Sequence, residues 1–431
     1  GELRLARFRP FRGIRFSASR VGSIDPIVAP PYDVISPAAR DRLLAGSPYN
    51  VTRLILNPDG HAEAAAQYRR WLAEGVLVRE DRPAFYLYCQ DFESGGPRRR
   101  AGVIGALHLE PFSTGVVRRH ERTFAHHKRD RLELTEQVRT NLSPIFGLFS
   151  NPAFSPSPER GWETPADIDV THEGVRSRVW VLRDPAAVRA ITAAVEERTV
   201  FIADGHHRYE TALAYHESLF GASALPTEPD APDDAAAPAA HVLAFLGAFE
   251  DPGMVILPTH REVVRTGGAS LEAFAREIEK RFRVEKVARG ADGAANALAQ
   301  IGKVSYDDNA FVVALSGQRD YWILRRAAAP SSAGPLTDAL DVGVLHSVLL
   351  GDALRAAGGQ DPEIAYSPDP APLFERVDGG RSEAAFFMRP MLARQMEAAC
   401  LAGELLPQKS TYFYPKLLTG LVFHSLDRAA D

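Results

Sequence analysis

The stretch Val200-Phe201-Ile202-Ala203-Asp204-Gly205-His206-His207-Arg208-Tyr209 runs from short apolar residues through Asp-Gly into polar ones. The apolar part predicts a strand, and Tyr209, Leu213 and His216 or Glu217 follow at helical spacing. A strand that turns through glycine into a helix exposes the helix N-terminal amides. Free N–H groups and the positive end of the dipole favour an anion there, Gly205 permits close backbone approach, and Arg208 can fork onto phosphate oxygens. A phosphate is therefore the expected ligand. Asp204 reads in three ways: a divalent-cation ligand, a base, or a helix cap. His206 and His207 are either ligand contacts or a structural pair.

Outward from this turn the pattern alternates between strands and helices. Ser36-Pro37 starts a helix, residues 62–77 place Ala65, Tyr68, Leu72 and Val76 on one helical face, and residues 84–92 and 100–109 read as strands joined by Glu93-Ser94-Gly95-Gly96-Pro97. Further strands are expected at 175–182, 241–249, 255–258, 311–315 and 321–325. Further helices are expected at 186–197, 270–282, 340–354 and 390–402. Proline, acidic residues and alanines make 221–240 a mobile excursion, either a lid or a tolerated insertion. The expected class is α/β (mixed α+β). Its segments are 1–150, a central 168–330 carrying the Asp-Gly-His-His-Arg turn, and a mostly helical 338–431 contributing to the same site.

The 431 residues exceed one average domain, and 45% hydrophobic with 24% charged residues suffices to bury a core. A net charge of −5 gives no overall basic field for nucleic acid or an anionic membrane, so any phosphate-binding surface is local. No run approaches the roughly 18 apolar residues of a membrane span. With only Cys89 and Cys400, far apart, a disulfide framework is not expected, and a reducing, cytoplasmic setting is.

A second cluster, Arg118-Arg119-His120-Glu121-Arg122-Thr123 followed by His126-His127-Lys128-Arg129-Asp130-Arg131, gathers positive charge around two acids. It reads either as an exposed helix start or as an anion site in which Glu121 is a general base, its pKa lowered by those cations. Pro258-Thr259-His260-Arg261 and the run from Pro407 to Lys416, with Lys409 and three aromatics, read as ligand-facing loops. Pro30-Pro31-Tyr32-Asp33 is a stiff turn offering a carboxylate. Imidazoles and carboxylates also permit a metal-hydrolase reading with Asp204, His206, His207, Glu210 and Glu121, although adjacent histidines diverge on a helix. Walker, Rossmann and nucleophile-elbow motifs are absent from the sequence in any fitting context.

These motifs together resemble the bacterial family of domain of unknown function 1015 over nearly the whole chain. The Asp-Gly-His-His-Arg turn is also similar to that of the ParB/sulfiredoxin-like superfamily, which includes nucleotide-binding ParB proteins, sulfiredoxin and free-serine kinases. The resemblance implies a ParB/sulfiredoxin-like core and assigns nucleotide phosphates to Gly205, His206, His207 and Arg208. Sulfiredoxin chemistry needs a cysteine in that loop, and both cysteines lie far away. The resemblance to the kinases implies a small-molecule kinase, moving phosphoryl from ATP or ADP to a hydroxyl, foremost that of free L-serine. Mg2+ would bridge the phosphates with Asp204, and Glu121 would accept the hydroxyl proton, with Asp33 in reserve. His120 joins the catalytic set, Lys128 and Lys409 the nucleotide set, and Asp33, His260 and Arg261 the substrate set. The alternatives are a metal-assisted phosphatase and a non-enzymatic nucleotide sensor. The expected partners are nucleotide and a small hydroxyl compound, with neither nucleic acid nor membrane, and no oligomeric state follows from the sequence.

Overall fold

Strand-forming runs alternate with turn residues along the chain, and the computed structural model, which describes residues 6–121, 125–154, 156, 164–196, 198–221, 238–327 and 334–427, turns them into a mixed α/β fold. The chain forms two compact units. Unit 1 comprises Gly1–Arg119, Thr123–Val255 and Pro415–Asp431; unit 2 comprises His120–Arg122 and Ile256–Tyr414. Sequence-contiguous segments at 1–150, 168–330 and 338–431 differ from this division, because the chain leaves unit 1 and returns to it.

The sheet of unit 1 contains β1 (Phe8–Arg9), β2 (Phe85–Glu93), β3 (Pro97–His108), β4 (Val117–Arg118), β5 (Ile145–Phe149), β6 (Ile168–His172), β7 (Val175–Leu182), β8 (Val200–Asp204) and β9 (His241–Ala248). Their order is β4-β8-β5-β9-β3-β2-β7-β6, with β1 on β3. Strands β2 and β3 form the expected hairpin, pairing from Tyr86↔Ile104 to Glu93↔Pro97. Their loose alternation has a simple cause: most of β2 and the second half of β3 are buried on both faces. One core gathers Phe85, Leu107, Ile145, Ile202, Tyr209 and Leu246.

Helices α1 (Pro37–Gly46), α2 (His61–Ala73), α3 (Ala125–Val138) and α4 (His206–Phe220) also belong to unit 1. Helix α1 starts where Ser36 caps it, Oγ accepting Ala39 N–H with Pro37 in the first turn. Helix α2 ends earlier than expected and buries Ala65, Tyr68 and Trp71; Val76 packs beyond it, before the strand Leu77–Arg79. That second core also takes Phe423 from the end of the chain.

Unit 2 has a six-stranded sheet of β10 (His260–Arg265), β11 (Arg283–Ala288), β12 (Asp308–Leu315), β13 (Asp320–Ala327), β14 (Glu363–Ser367) and β15 (Ala384–Met388). The order is β11-β13-β12-β15-β10-β14. Residues 338–431, expected to be mostly helical, thus contribute two strands to this sheet. Central β15 is wholly buried, and a five-residue apolar run carries no periodicity that separates strand from helix. Residues 340–354 are helical as expected, with a π-helical stretch over Leu345–Ala353. Most of 221–240 lies outside the described residues. No helix of the described residues is long and apolar enough to cross a membrane.

Candidate anion-binding turn and its surroundings

Strand β8 is buried from Val200 to Ala203 and pairs with β5 through a register shift between Ile202 and Asp204. The shift frees the chain to turn at Gly205, which holds φ 90° and ψ 29° as the N-cap of α4. This left-handed conformation suits glycine, and an added Cβ would meet the Arg208 guanidinium at 3.0 Å. Arg208 thus lies against the turn itself.

Asp204 holds the turn together. Its Oδ2 accepts from Arg208 Nη2 at 2.7 Å, and its Oδ1 accepts from Lys416 Nζ. Burial opposes ionisation of this carboxyl, but Lys416, Arg208 and His206 outweigh it and hold the group well below the usual carboxylate range. Arg208 also donates to Pro144 O. One carboxylate therefore faces two cations beside a helix N-terminus, a surplus of positive charge suited to an anion. His206 is buried and His207 partly buried in the first turn of α4.

Lys416 is delivered by a buried apparatus that the sequence did not single out. Arg100, 1% exposed, donates to Gln90 Oε1 and Pro415 O, while Gln90 Nε2 donates to Lys416 O at 3.1 Å. The Arg100 guanidinium stacks on Phe146 at 4.8 Å, and burial lowers its pKa to about 10. The Tyr88 hydroxyl accepts Leu418 N–H at 3.3 Å. The run ending at Lys416 was legible as chemically dense, but its pairing with Asp204 spans 212 positions and leaves no local signal.

Lys128 on α3 reaches Glu210 Oε2 at 3.3 Å, and Arg119 Nη1 reaches Glu210 Oε1 at 2.5 Å. Glu210 is thereby paired with two cations. Among the described residues no group of three or more His, Cys, Asp or Glu side chains could hold a metal ion. Asp33 sits exposed in the turn Tyr32–Val34. Its neighbour Tyr32 has the Arg131 guanidinium over its ring at 4.5 Å, and burial pushes its phenol up to about 12. Tyr32, Arg131, Ser143, Arg208 and Thr211 share a cleft within unit 1.

The remaining residues singled out in the sequence fall in unit 2. His120 is fully buried and its Nε2 lies 2.8 Å from Thr411 Oγ1. Glu121 Oε1 accepts Ser410 N–H at 3.0 Å, and Leu406 N–H donates to His120 O at 2.7 Å. Lys409 is exposed, in a left-handed backbone conformation with φ 56°. The expected ligand-facing loop at 258–261 is corrected in its second half, since His260 and Arg261 open the buried strand β10. His260 Nδ1 accepts Met388 N–H at 3.2 Å. Arg261 donates to Thr259 O, to Gln408 O at 3.0 Å and to His346 Nε2 at 3.3 Å. Polar residues that serve pairing partners inside a strand look, in sequence, like residues that serve a ligand.

The sequence matches the family described as Protein of unknown function (DUF1015) over residues 8–343. The chain belongs to the DUF1015 family. No curated protein matches it. Among solved structures this DUF1015 chain is similar to a mutant free serine kinase in complex with AMP, at 10% identity and TM-score 0.35, covering 69% of this chain and 84% of the other. It is also similar to SbnI with C-terminal truncation from Staphylococcus aureus, at 10% identity and TM-score 0.34, over 75% and 90% of the two chains. A conserved hypothetical protein from Pyrococcus furiosus follows at 11% and 0.34, over 70% and 89%.

Proposed function

We propose that this protein is a small-molecule kinase that binds the phosphates of ATP or ADP at Gly205 to Arg208 and transfers phosphoryl to a hydroxyl, foremost that of free L-serine, in the cytoplasm. The observation that carries the reading is Asp204 holding Lys416 and Arg208 at the N-terminus of α4. A polyphosphate entering there meets backbone N–H groups and two cations already in place. Fixed charge of this kind supplies much of the catalysis of phosphoryl transfer. His206 and His207 in the same turn are assigned to phosphate oxygens.

Mg2+, when bound, neutralises charge on the phosphates. Asp204 is the carboxylate of the turn that can hold it, in exchange for one of its two ion pairs. The hydroxyl proton is assigned to Glu121, with Asp33 the alternative, and His120, Lys128 and Lys409 to charge stabilisation and substrate contacts. Cysteine chemistry has no support: Cys89 is buried, and burial pushes its thiol up to about 12.

The test is phosphorus NMR of the full chain with Mg2+, ATP or ADP, and a panel of hydroxyl compounds led by L-serine. O-Phosphoserine is the expected product, lost in Arg208→Ala, and its loss in Glu121→Gln but not Asp33→Asn would support Glu121 as the base. Nucleotide binding without transfer to any acceptor would overturn the kinase reading in favour of a sensor.

A further inference from the structure

The cleft beside Arg208 belongs wholly to unit 1. Helix α4 forms one wall through Thr211 and Ala212, and Ile55, Leu134 and Leu142 supply apolar surface. Thr211 is 4% exposed, yet its Oγ1 has no hydrogen-bond partner among the described residues. A buried hydroxyl left in this state is costly unless something else bonds it.

Thr211 lies three residues after Arg208, on the same side of α4 and about 4.5 Å further along its axis. A group bonded to a phosphate held by Arg208 can thus reach Thr211 through the cleft that both residues line. The lining contains Arg131 and Arg208 but neither Asp nor Glu. A neutral group with planar apolar faces and polar edges finds aliphatic walls, the Tyr32 ring and the hydroxyls of Thr211 and Ser143.

We infer that this cleft takes the nucleoside of the nucleotide, hydrogen-bonded by Thr211 Oγ1. The inference rests on the proposed phosphate role of the Gly205 turn and adds the place of the base and sugar.

Calorimetric titration of the full chain with ATP and with inorganic tripolyphosphate separates the two claims. The parent is expected to bind both, ATP more tightly. Thr211→Val, nearly isosteric, is expected to weaken ATP about three- to tenfold, leave tripolyphosphate within about twofold, and keep or raise the melting temperature of the free protein. Thr211→Ser is expected to restore ATP affinity. If Thr211→Val leaves ATP unchanged, or weakens both ligands equally, the nucleoside assignment is overturned while the phosphate turn stands. If the parent binds neither ligand, both claims fall.

Discussion

At Gly205 a single hydrogen in place of a methyl group keeps two things possible, a positive φ and the approach of Arg208. Gly205→Ala is therefore expected to destabilise the protein by about 1–2 kcal/mol through backbone strain, and to weaken ATP binding more than tenfold by displacing the guanidinium. Thermal melting and titration with ATP check both. Asp204 supplies a second prediction, from the lowering of its carboxyl pKa. Its stabilising contribution is present above the unfolded carboxylate value near 4 and is lost as pH falls through the lower folded value. Asp204→Asn should lower the melting temperature at pH 7, and its deficit against the parent should shrink below about pH 4; an unchanged deficit at pH 3 would refute this. The turn itself was readable because all its parts adjoin in sequence. Arg100 and Gln90 were not, since their roles come from burial and from partners on other elements.

Among the elements, strand β10 shows how a buried histidine registers acidity. Burial, helped by the neighbouring Arg261 charge, lowers the His260 pKa to about 4, with Asp369 acting weakly in the opposite sense. Its Nδ1 must stay unprotonated to accept Met388 N–H. Between about pH 6.5 and 4 the unfolded chain binds a proton that the folded one refuses, so stability falls with pH across that window, by roughly 3 kcal/mol in full. His260→Asn keeps an acceptor for Met388 and is expected to flatten this fall in melts at pH 7 and 5. Strands with a turn between them, such as β2 with β3 and β12 with β13, were legible from composition. Strands β14 and β15 were not: the first is a half-exposed edge and the second a central run buried on every side.

For the whole molecule, the decisive fact is that unit 1 is built from three stretches of chain. Phe423 pairs its backbone with Ile14, and Thr419 with Ala29, so the last stretch stitches the first. Removing 415–431 is expected to abolish ATP binding and to strip hydrogen-exchange protection from residues 11–29, while the strands of unit 2 stay protected; unchanged exchange in 11–29 would count against it. Mixed α/β character was legible from alternating patterns, but a chain that leaves a unit and re-enters it carries no compositional mark at either crossing.

The return of the chain to unit 1 also sets an order in time. The turn at Gly205 leaves the ribosome long before Lys416, some 210 residues later, and at roughly 5–20 residues per second the interval is on the order of ten seconds or more. Throughout it Asp204 lacks one of its two cations and the Arg100 guanidinium lacks the Pro415 carbonyl. In a nascent chain the turn at Gly205 is therefore only half-paired until the stretch from Pro415 emerges.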